Sequence, residues 1–157
     1  IRRQRQMCIR DSINDGEKVK VGRGVNSLVT LSGDKTEDMK KIKIIDSLDL
    51  IRDDIKASFE ENYINVVNSH ENKMLFIGAV NQYFKSLQSQ GVLYDGADCR
   101  AYIDVQSQRE WLAQKYDVSD WTDSEVEVAN TGSIIFAGAD ITIQDCIEDL
   151  SFKIGLE

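Results

Sequence analysis

The aspartates between positions 46 and 54 are the residues whose type and spacing could most readily support chemistry. Asp46, Asp49 and Asp53 are three and four residues apart, so on a helix they would share a face and could hold a cation or form an acid/base pair. Asp54 adds a fourth carboxylate. Carboxylates in the first turns of a helix also favour the positive end of its dipole, and a charge run on an amphipathic helix is most often a solvated face. We favour this second interpretation.

Other catalytic or metal-binding patterns are weak. His70 is the only histidine, and it lies in a polar stretch where an exposed or helix-capping role is expected. Cys99 and Cys146 form no CxxC or Cys/His spacing, so we expect two buried free thiols. The GxG of GRGVNS does not open a helix as a phosphate loop would. The sequence therefore predicts no catalytic, cofactor-binding or metal-binding residues and no enzyme activity.

Composition narrows the class of protein further. The chain has 157 residues, a net charge of −8 and 41% hydrophobic residues, which suits one globular domain. No apolar run approaches the roughly 20 residues of a membrane span, so we expect no membrane insertion. The acidic balance argues against direct nucleic-acid binding through a general field.

The first residues form a separate segment. RRQRQMCIRD, at residues 2–11, reads as a basic arm but resembles a translated sequencing-library adapter. We therefore expect residues 1–11 to be an artefact fused upstream of residues 12–157, and we exclude them from fold reasoning. Without the four arginines and one aspartate of residues 1–11, the net charge falls from −8 to −11.

The elements that would position these residues begin with strand patterns and continue with helices. KVKV and NSLVTL predict strands near 17–22 and 26–31 joined by a hairpin around 22–24, and KKIKII predicts a third strand over 40–45. Helical period follows over 46–63, with one apolar face and one charged face. The apolar face contains Leu48, Ile51, Ile55 and Phe59, and the charged face contains Arg52, Asp53, Lys56 and Glu60.

A second amphipathic helix follows a polar loop. Its apolar stripe is Met74, Ile77, Val80, Phe84 and Leu87, and Gly91 is placed for a left-handed C-terminal cap. Residues 95–130 have a weaker pattern, which suits a surface excursion with short helices in SQREWLAQKY and TDSEVEVAN, the second capped by Thr122 or Asp123. GSIIFAG and DITI then predict strands.

The last segment is a full period-two strand. Leu150, Phe152, Ile154 and Leu156 share one face, and Ser151, Lys153 and Gly155 share the other. Such a strand either closes the sheet of its own domain or adds to the sheet of a neighbour, and composition leaves both open. The fold class predicted is α+β, with a mixed β-sheet packed by two amphipathic helices.

Four phrases, in this order, resemble the C-terminal part of contractile phage tail sheath proteins, a family that includes tailocin and prophage sheaths. They are GRGVNSLVTL, KKIKIIDSLDLIRDDIKASFEENYINVVNSHENK, FIGAVNQYFKSLQSQGVL and ANTGSIIFAGADITIQDCIEDLSFKI. The resemblance covers nearly all of residues 20–157. One departure is in QDCIEDL, where Cys146 and Ile147 stand in place of the alanine and methionine that are frequent in such sheaths.

The resemblance implies a structural protein without cofactors. It implies a helical homo-oligomer of sheath subunits around a tail tube protein, with baseplate and tail terminator proteins as further partners, located in the virion tail and in the host cytoplasm during assembly. Residues 150–156 would exchange as a strand with a neighbouring subunit, and contraction would drive the tube through the host envelope. The helix with Arg52, Asp53, Lys56 and Glu60 is chosen to face the tube, although the second helix is equally available.

Two alternatives remain open from the sequence. One is the sheath of a non-phage contractile injection system. The other, from a different class, is a small acidic enzyme or ligand-binding domain, which a pocket with converging carboxylates around residues 46–54 would favour.

Overall fold

The longest elements of the computed structural model are two helices, α1 (Ile42–Asn62) and α2 (His70–Ser89). The structure describes residues 8–14, 16, 19–25 and 40–155. The chain divides into two compact units, one made of Ile1–Arg52 with Asp145–Glu157 and the other of Asp53–Gln144.

The first unit contains a β-hairpin. Its strands β1 (Cys8–Asn14) and β2 (Val19–Val25) pair antiparallel, with a register irregularity between Ile9 and Ser12. Gly16 lies in the connection at φ 91°, a conformation that glycine adopts without steric cost. The predicted hairpin around residues 22–24 is wrong, because these residues lie within β2 and residues 8–14 supply the partner strand. Residues 26–31 lie outside the described residues.

The predicted third strand over residues 40–45 is also wrong. Lys41 makes one isolated bridge with Val25, and α1 starts at Ile42. The alternation in KKIKII fits helical spacing equally well, because Ile44 and Ile51 are seven residues apart and both are buried. Ile45 N–H donates to the Lys41 carbonyl at 3.3 Å, which continues the helical hydrogen-bond pattern one turn before the predicted start.

The second unit is built around α2. The Ser69 hydroxyl accepts from Asn72 N–H at 3.2 Å and caps the helix, and Gly91 follows its end at φ 72°, as predicted. The buried face contains Phe76, Ile77, Val80, Phe84 and Leu87. Met74 is 43% exposed, so its assignment to the stripe is wrong, and Phe76 takes the buried position instead.

The second sheet packs against α2. Strands β3 (Arg100–Ile103) and β4 (Ala137–Asp140) pair antiparallel, with Ala101 opposite Ala139, and Leu93 makes an isolated bridge with Ile143. The α+β class is confirmed. The described strands form two antiparallel pairs rather than one mixed sheet. Strand β1 pairs with β2, which follows it in the chain, and β3 pairs with β4, which follows the segment that contains the short helices.

Residues 95–130 contain their own small core. Helix α3 (Val105–Ala113) and helix α4 (Asp123–Val128) pack together through Leu112, Val118 and Val126. Thr122 and Glu125 form a reciprocal capping box at α4, as the sequence predicts. The assignment of this region as a surface excursion stays a prediction, as does the adapter origin of residues 2–11, of which residues 8–11 lie in β1.

Candidate functional site

The charged face of α1 is solvent-exposed along its length. Arg52, Asp53, Lys56 and Glu60 all lie on it. Arg52 Nη2 is 3.5 Å from Asp49 Oδ1, and Lys56 Nζ is 3.8 Å from Glu60 Oε1. Exposed pairs of this kind contribute little to stability.

The four aspartates of residues 46–54 do not form a described metal or acid/base site. The Tyr83 hydroxyl donates to Asp54 Oδ2 at 2.5 Å, and burial together with this bond raises the pKa of Tyr83. The adjacent cavity is about 110 Å³, and Asp54 is the single member of the four that lines it. Within the described residues, no three His, Cys, Asp or Glu side chains converge as metal ligands.

The other residues considered for chemistry are dispersed. His70 is the first residue of α2, and its Nδ1 is buried without a hydrogen-bond partner. Cys99 is half-buried and Cys146 is exposed, so the expectation of two buried thiols is wrong for Cys146. Both are free thiols. None of the helices in the described part of the chain has the length and apolar character needed to cross a bilayer.

Four large apolar side chains of the C-terminal segment are strongly exposed. Ile147 is 97% exposed, Leu150 86%, Phe152 75% and Ile154 77%. Residues 144–155 form no helix or strand in the described structure, and Leu156 lies outside it. Pairing of this segment within its own chain is therefore not observed for residues 150–155. A run of large exposed apolar side chains is typical of a surface that associates with another protein.

An ion-pair cluster fixes the start of this segment. Lys41 Nζ pairs with Asp145 Oδ2 and lies 3.6 Å from Glu148 Oε2. The hydrogen bond from Lys41, with a second from Cys146 N–H, lowers the pKa of Asp145. The same bond to Asp145 raises the pKa of Lys41. Lys41 thus pairs with Asp145 and Glu148 of the segment, while the side chains of Ile147 and Leu150 remain exposed.

The β3–β4 sheet has one edge closed by a side chain. Asn81 Oδ1 accepts from Ala101 N–H at 2.7 Å, and Asn81 Nδ2 donates to the Ala101 carbonyl at 3.2 Å. The side-chain amide of Asn81 therefore takes the place of a neighbouring strand, because it pairs with both backbone groups of Ala101 at the outer edge of β3. The sequence contains one signal for this role. Asn81 directly follows Val80 and is three residues before Phe84, so it is a polar residue on the largely apolar side of α2.

The outer edge of β4 is the open edge of this sheet. Because Ala101 directs its N–H and C=O toward Asn81, the opposite residue Ala139 directs its own away from β3. Ala137 and Ala139 are exposed, and no other described backbone group pairs with them. A Cβ at Gly138 would lie 2.9 Å from the Tyr102 ring, so a larger residue there would require that exposed side chain to shift. An exposed, narrow edge of this kind accepts an added strand.

An open strand edge and an exposed apolar segment together are typical of proteins that associate through main-chain pairing. The family model described as "Phage tail sheath C-terminal domain" matches residues 34–157. The chain is 37% identical over 139 residues to the tail sheath protein of Clostridium phage phiCD119, an alignment that covers 87% of this chain. The chain belongs to the phage tail sheath family. It spans 38% of the length of that relative.

Proposed function

We propose that this chain is the C-terminal part of a structural subunit of a contractile phage tail sheath, which polymerises around the tail tube in the virion tail. The observation that carries the proposal is the exposure of Leu150, Phe152 and Ile154 in a segment with period-two alternation. Membership of the tail sheath family supports it. The role is structural rather than catalytic.

In the proposed assembly, residues 150–156 of one subunit add as a strand to a neighbour. The outer edge of β4 is the acceptor, because Ala137 and Ala139 are exposed residues without another described backbone partner there and Asn81 closes the opposite edge. Burying each of the three large side chains contributes roughly 1.5–3 kcal/mol. Ordering each residue of the arm costs about 1–2 kcal/mol, so main-chain hydrogen bonds are needed to hold it.

The proposed work of the sheath is contraction, which drives the tube through the host envelope. An extended lattice that reaches better subunit contacts on triggering stores its free energy in assembly and needs no cofactor. The tube protein, the baseplate and the tail terminator are the further proposed partners, and assembly in the host cytoplasm is proposed with them.

The charged face of α1 is the proposed tube-facing surface. Arg52 and Lys56 are each 71% exposed, and they lie one turn apart. Reversing the charge of Lys56 alone should weaken co-sedimentation with the tube protein more than reversing the charge of Lys85, which is exposed on α2. An equal loss for both variants would assign tube contact to α2 or to neither helix.

Assembly of the 157-residue chain tests the main proposal. Negative-stain microscopy and sedimentation velocity should reveal rings, tubes or oligomers that Phe152→Ser and Ile154→Ser reduce. Lys153→Ser, on the other face of the segment, is the matched control and should assemble as the parent does. A persistent monomer at all concentrations, or an equal effect of Lys153→Ser and Phe152→Ser, would contradict the proposal.

A second candidate is the sheath of a non-phage contractile injection system. The same exposed segment supports it, since strand addition between subunits would serve either system. Genes beside the native locus distinguish the two, because a phage sheath is expected among capsid and packaging genes.

A further inference from the structure

An exposed Asp–Gly dipeptide lies between α2 and β3. Asp95 and Gly96 are the central residues of a turn, which is closed by a hydrogen bond of 3.3 Å from Ala97 N–H to the Tyr94 carbonyl. Both residues of the dipeptide are exposed. Among the described residues, no hydrogen bond or ion pair engages the Asp95 carboxylate or the Gly96 N–H. Other groups of the described chain therefore do not hold either of them.

The packing of Tyr94 accounts for the glycine in this turn. A Cβ at Gly96 would lie 2.8 Å from the Tyr94 ring, so a larger residue would require that side chain, which is 46% exposed, to shift. Because glycine has no Cβ, its nitrogen is less hindered than that of any other residue when the preceding side chain approaches it. The turn therefore places an aspartate carboxyl directly before an unhindered amide nitrogen.

Gln88, near the end of α2, restrains the same turn. Its Nε2 donates to the Tyr94 carbonyl at 3.1 Å and to the Ala97 carbonyl at 2.9 Å, so one side chain holds the residues on both sides of the dipeptide. Closure of a ring between the Asp95 carboxyl and the Gly96 nitrogen requires rotation about the Asp95 Cα–C bond. The bonds from Gln88 oppose this rotation, because they fix Tyr94 and Ala97 relative to each other.

We propose that Asp95 is a site of spontaneous isoaspartate formation and that Gln88 limits its rate. The Gly96 nitrogen attacks Cγ of the protonated Asp95 carboxyl. The Cγ–N bond forms, the Cγ–OH bond breaks and the nitrogen gives up its proton, so one water leaves and a succinimide remains. One water then adds to this ring. Opening of the Cγ–N bond restores aspartate, whereas opening of the bond between the Asp95 carbonyl carbon and the Gly96 nitrogen leaves the main chain running through Cγ, as isoaspartate.

Isoaspartate changes the length of the turn. It adds one methylene to the main chain, so Gln88 no longer spans both carbonyls in its present geometry. Tyr94 N–H donates to the Thr142 carbonyl at 2.8 Å, within the stretch where residues 92–94 pair with residues 142–144. The added methylene displaces one side of this pairing, so the modified chain should be less stable than the parent.

Ageing of the 157-residue chain at neutral pH, followed by tryptic digestion and mass spectrometry with electron-transfer fragmentation, tests the proposal. Trypsin releases residues 86–100 as one peptide, which contains both Asp95 and Asp98. Isoaspartate should accumulate at Asp95 and not at Asp98, which is also exposed but precedes Cys99 rather than a glycine. Asp95→Glu is the matched control, because it keeps the charge but would need a larger ring.

Gln88→Ala tests the restraint, and Gln82→Ala, at an exposed position of the same helix, is its control. Gln88→Ala should raise the rate of conversion at least about threefold, because it removes both hydrogen bonds from this side chain to the turn. Gln82→Ala should leave the rate unchanged. A synthetic peptide of residues 86–100 lacks the folded turn and should convert faster than the parent chain. In thermal melting, the aged parent should unfold earlier than fresh protein, and aged Asp95→Glu should not.

Absence of isoaspartate at Asp95 in the aged parent, over a period in which the synthetic peptide converts, would overturn the proposal. Equal conversion of Asp95 and Asp98 would do the same. Equal rates in the parent and in Gln88→Ala would reject the role of Gln88. If Gln88→Ala does not fold, the comparison of the parent with the peptide decides, because neither carries a substitution. None of these outcomes depends on assembly, so the proposed function stands or falls separately.

Discussion

Replacing Asn81 by alanine tests whether one side chain closes the outer edge of β3. The substitution removes hydrogen bonds of 2.7 and 3.2 Å and leaves the N–H and C=O of Ala101 without partners. Ala101 is 7% exposed, so water replaces these bonds poorly. A buried polar group left unpaired costs about 1–3 kcal/mol, so we expect the loss of both partners to cost at least about 2–3 kcal/mol in total. That is a large share of a typical stability of about 5–15 kcal/mol.

Urea unfolding followed by far-ultraviolet circular dichroism measures this loss. Gln82→Ala is the matched control, because Gln82 is the next residue on α2, is exposed and makes no side-chain hydrogen bond in the described structure. It should change the free energy of unfolding by less than about 0.5 kcal/mol. Asn81→Asp keeps an acceptor for Ala101 N–H but sets a carboxylate against the Ala101 carbonyl, so it should also destabilise. Equal stabilities of Asn81→Ala and Gln82→Ala would refute the reasoning.

Three further changes test the local structure. Phe84→Ala, at a fully buried position of α2, should cost about 3–5 kcal/mol in urea unfolding, whereas Leu75→Ala, 64% exposed on the same helix, should cost far less. Thr122→Ala removes the capping hydroxyl of α4 and should cost about 1 kcal/mol, and an unchanged midpoint would argue against the capping box. Hydrogen bonds from the Ser107 hydroxyl and N–H lower the pKa of Asp104 below its ordinary 3.8. The stability from Asp104 is therefore present above that value and lost as the pH falls through the lowered pKa, so Asp104→Asn should reduce the acid sensitivity measured by thermal melting across pH.

Local patterns predicted the two long helices and two of the helix caps. The second unit has α2 where the apolar stripe indicates it, Gly91 at its end and the capping box at Thr122. These features depend on residues within one or two turns of each other, so the sequence contains all the information that decides them. The prediction was wrong for the segment Lys40–Ile45. Its apolar spacing fits both a strand and a helix, and only its continuation into α1 shows that it is helical.

The candidate site depended on contacts between residues far apart in sequence. Asn81 closes the edge of a strand 20 residues away, and Lys73 is buried against a carbonyl 56 residues away. A helical pattern assigns both to a face but does not say whether a polar side chain on that face meets a strand edge, a carbonyl or water.

The sequence by itself determined the α+β class, the two long helices, the Gly91 and Thr122 caps and the resemblance to tail sheath proteins, because periodicity, capping and ordered motifs are properties of neighbouring residues. The tertiary structure alone decided which strand edge is closed, which lysine is buried and that Leu150, Phe152 and Ile154 remain exposed. The physical reason is that burial and hydrogen-bond satisfaction depend on which distant segments meet. An alternating C-terminal segment has the same sequence whether it pairs within its own chain or remains available to a neighbour.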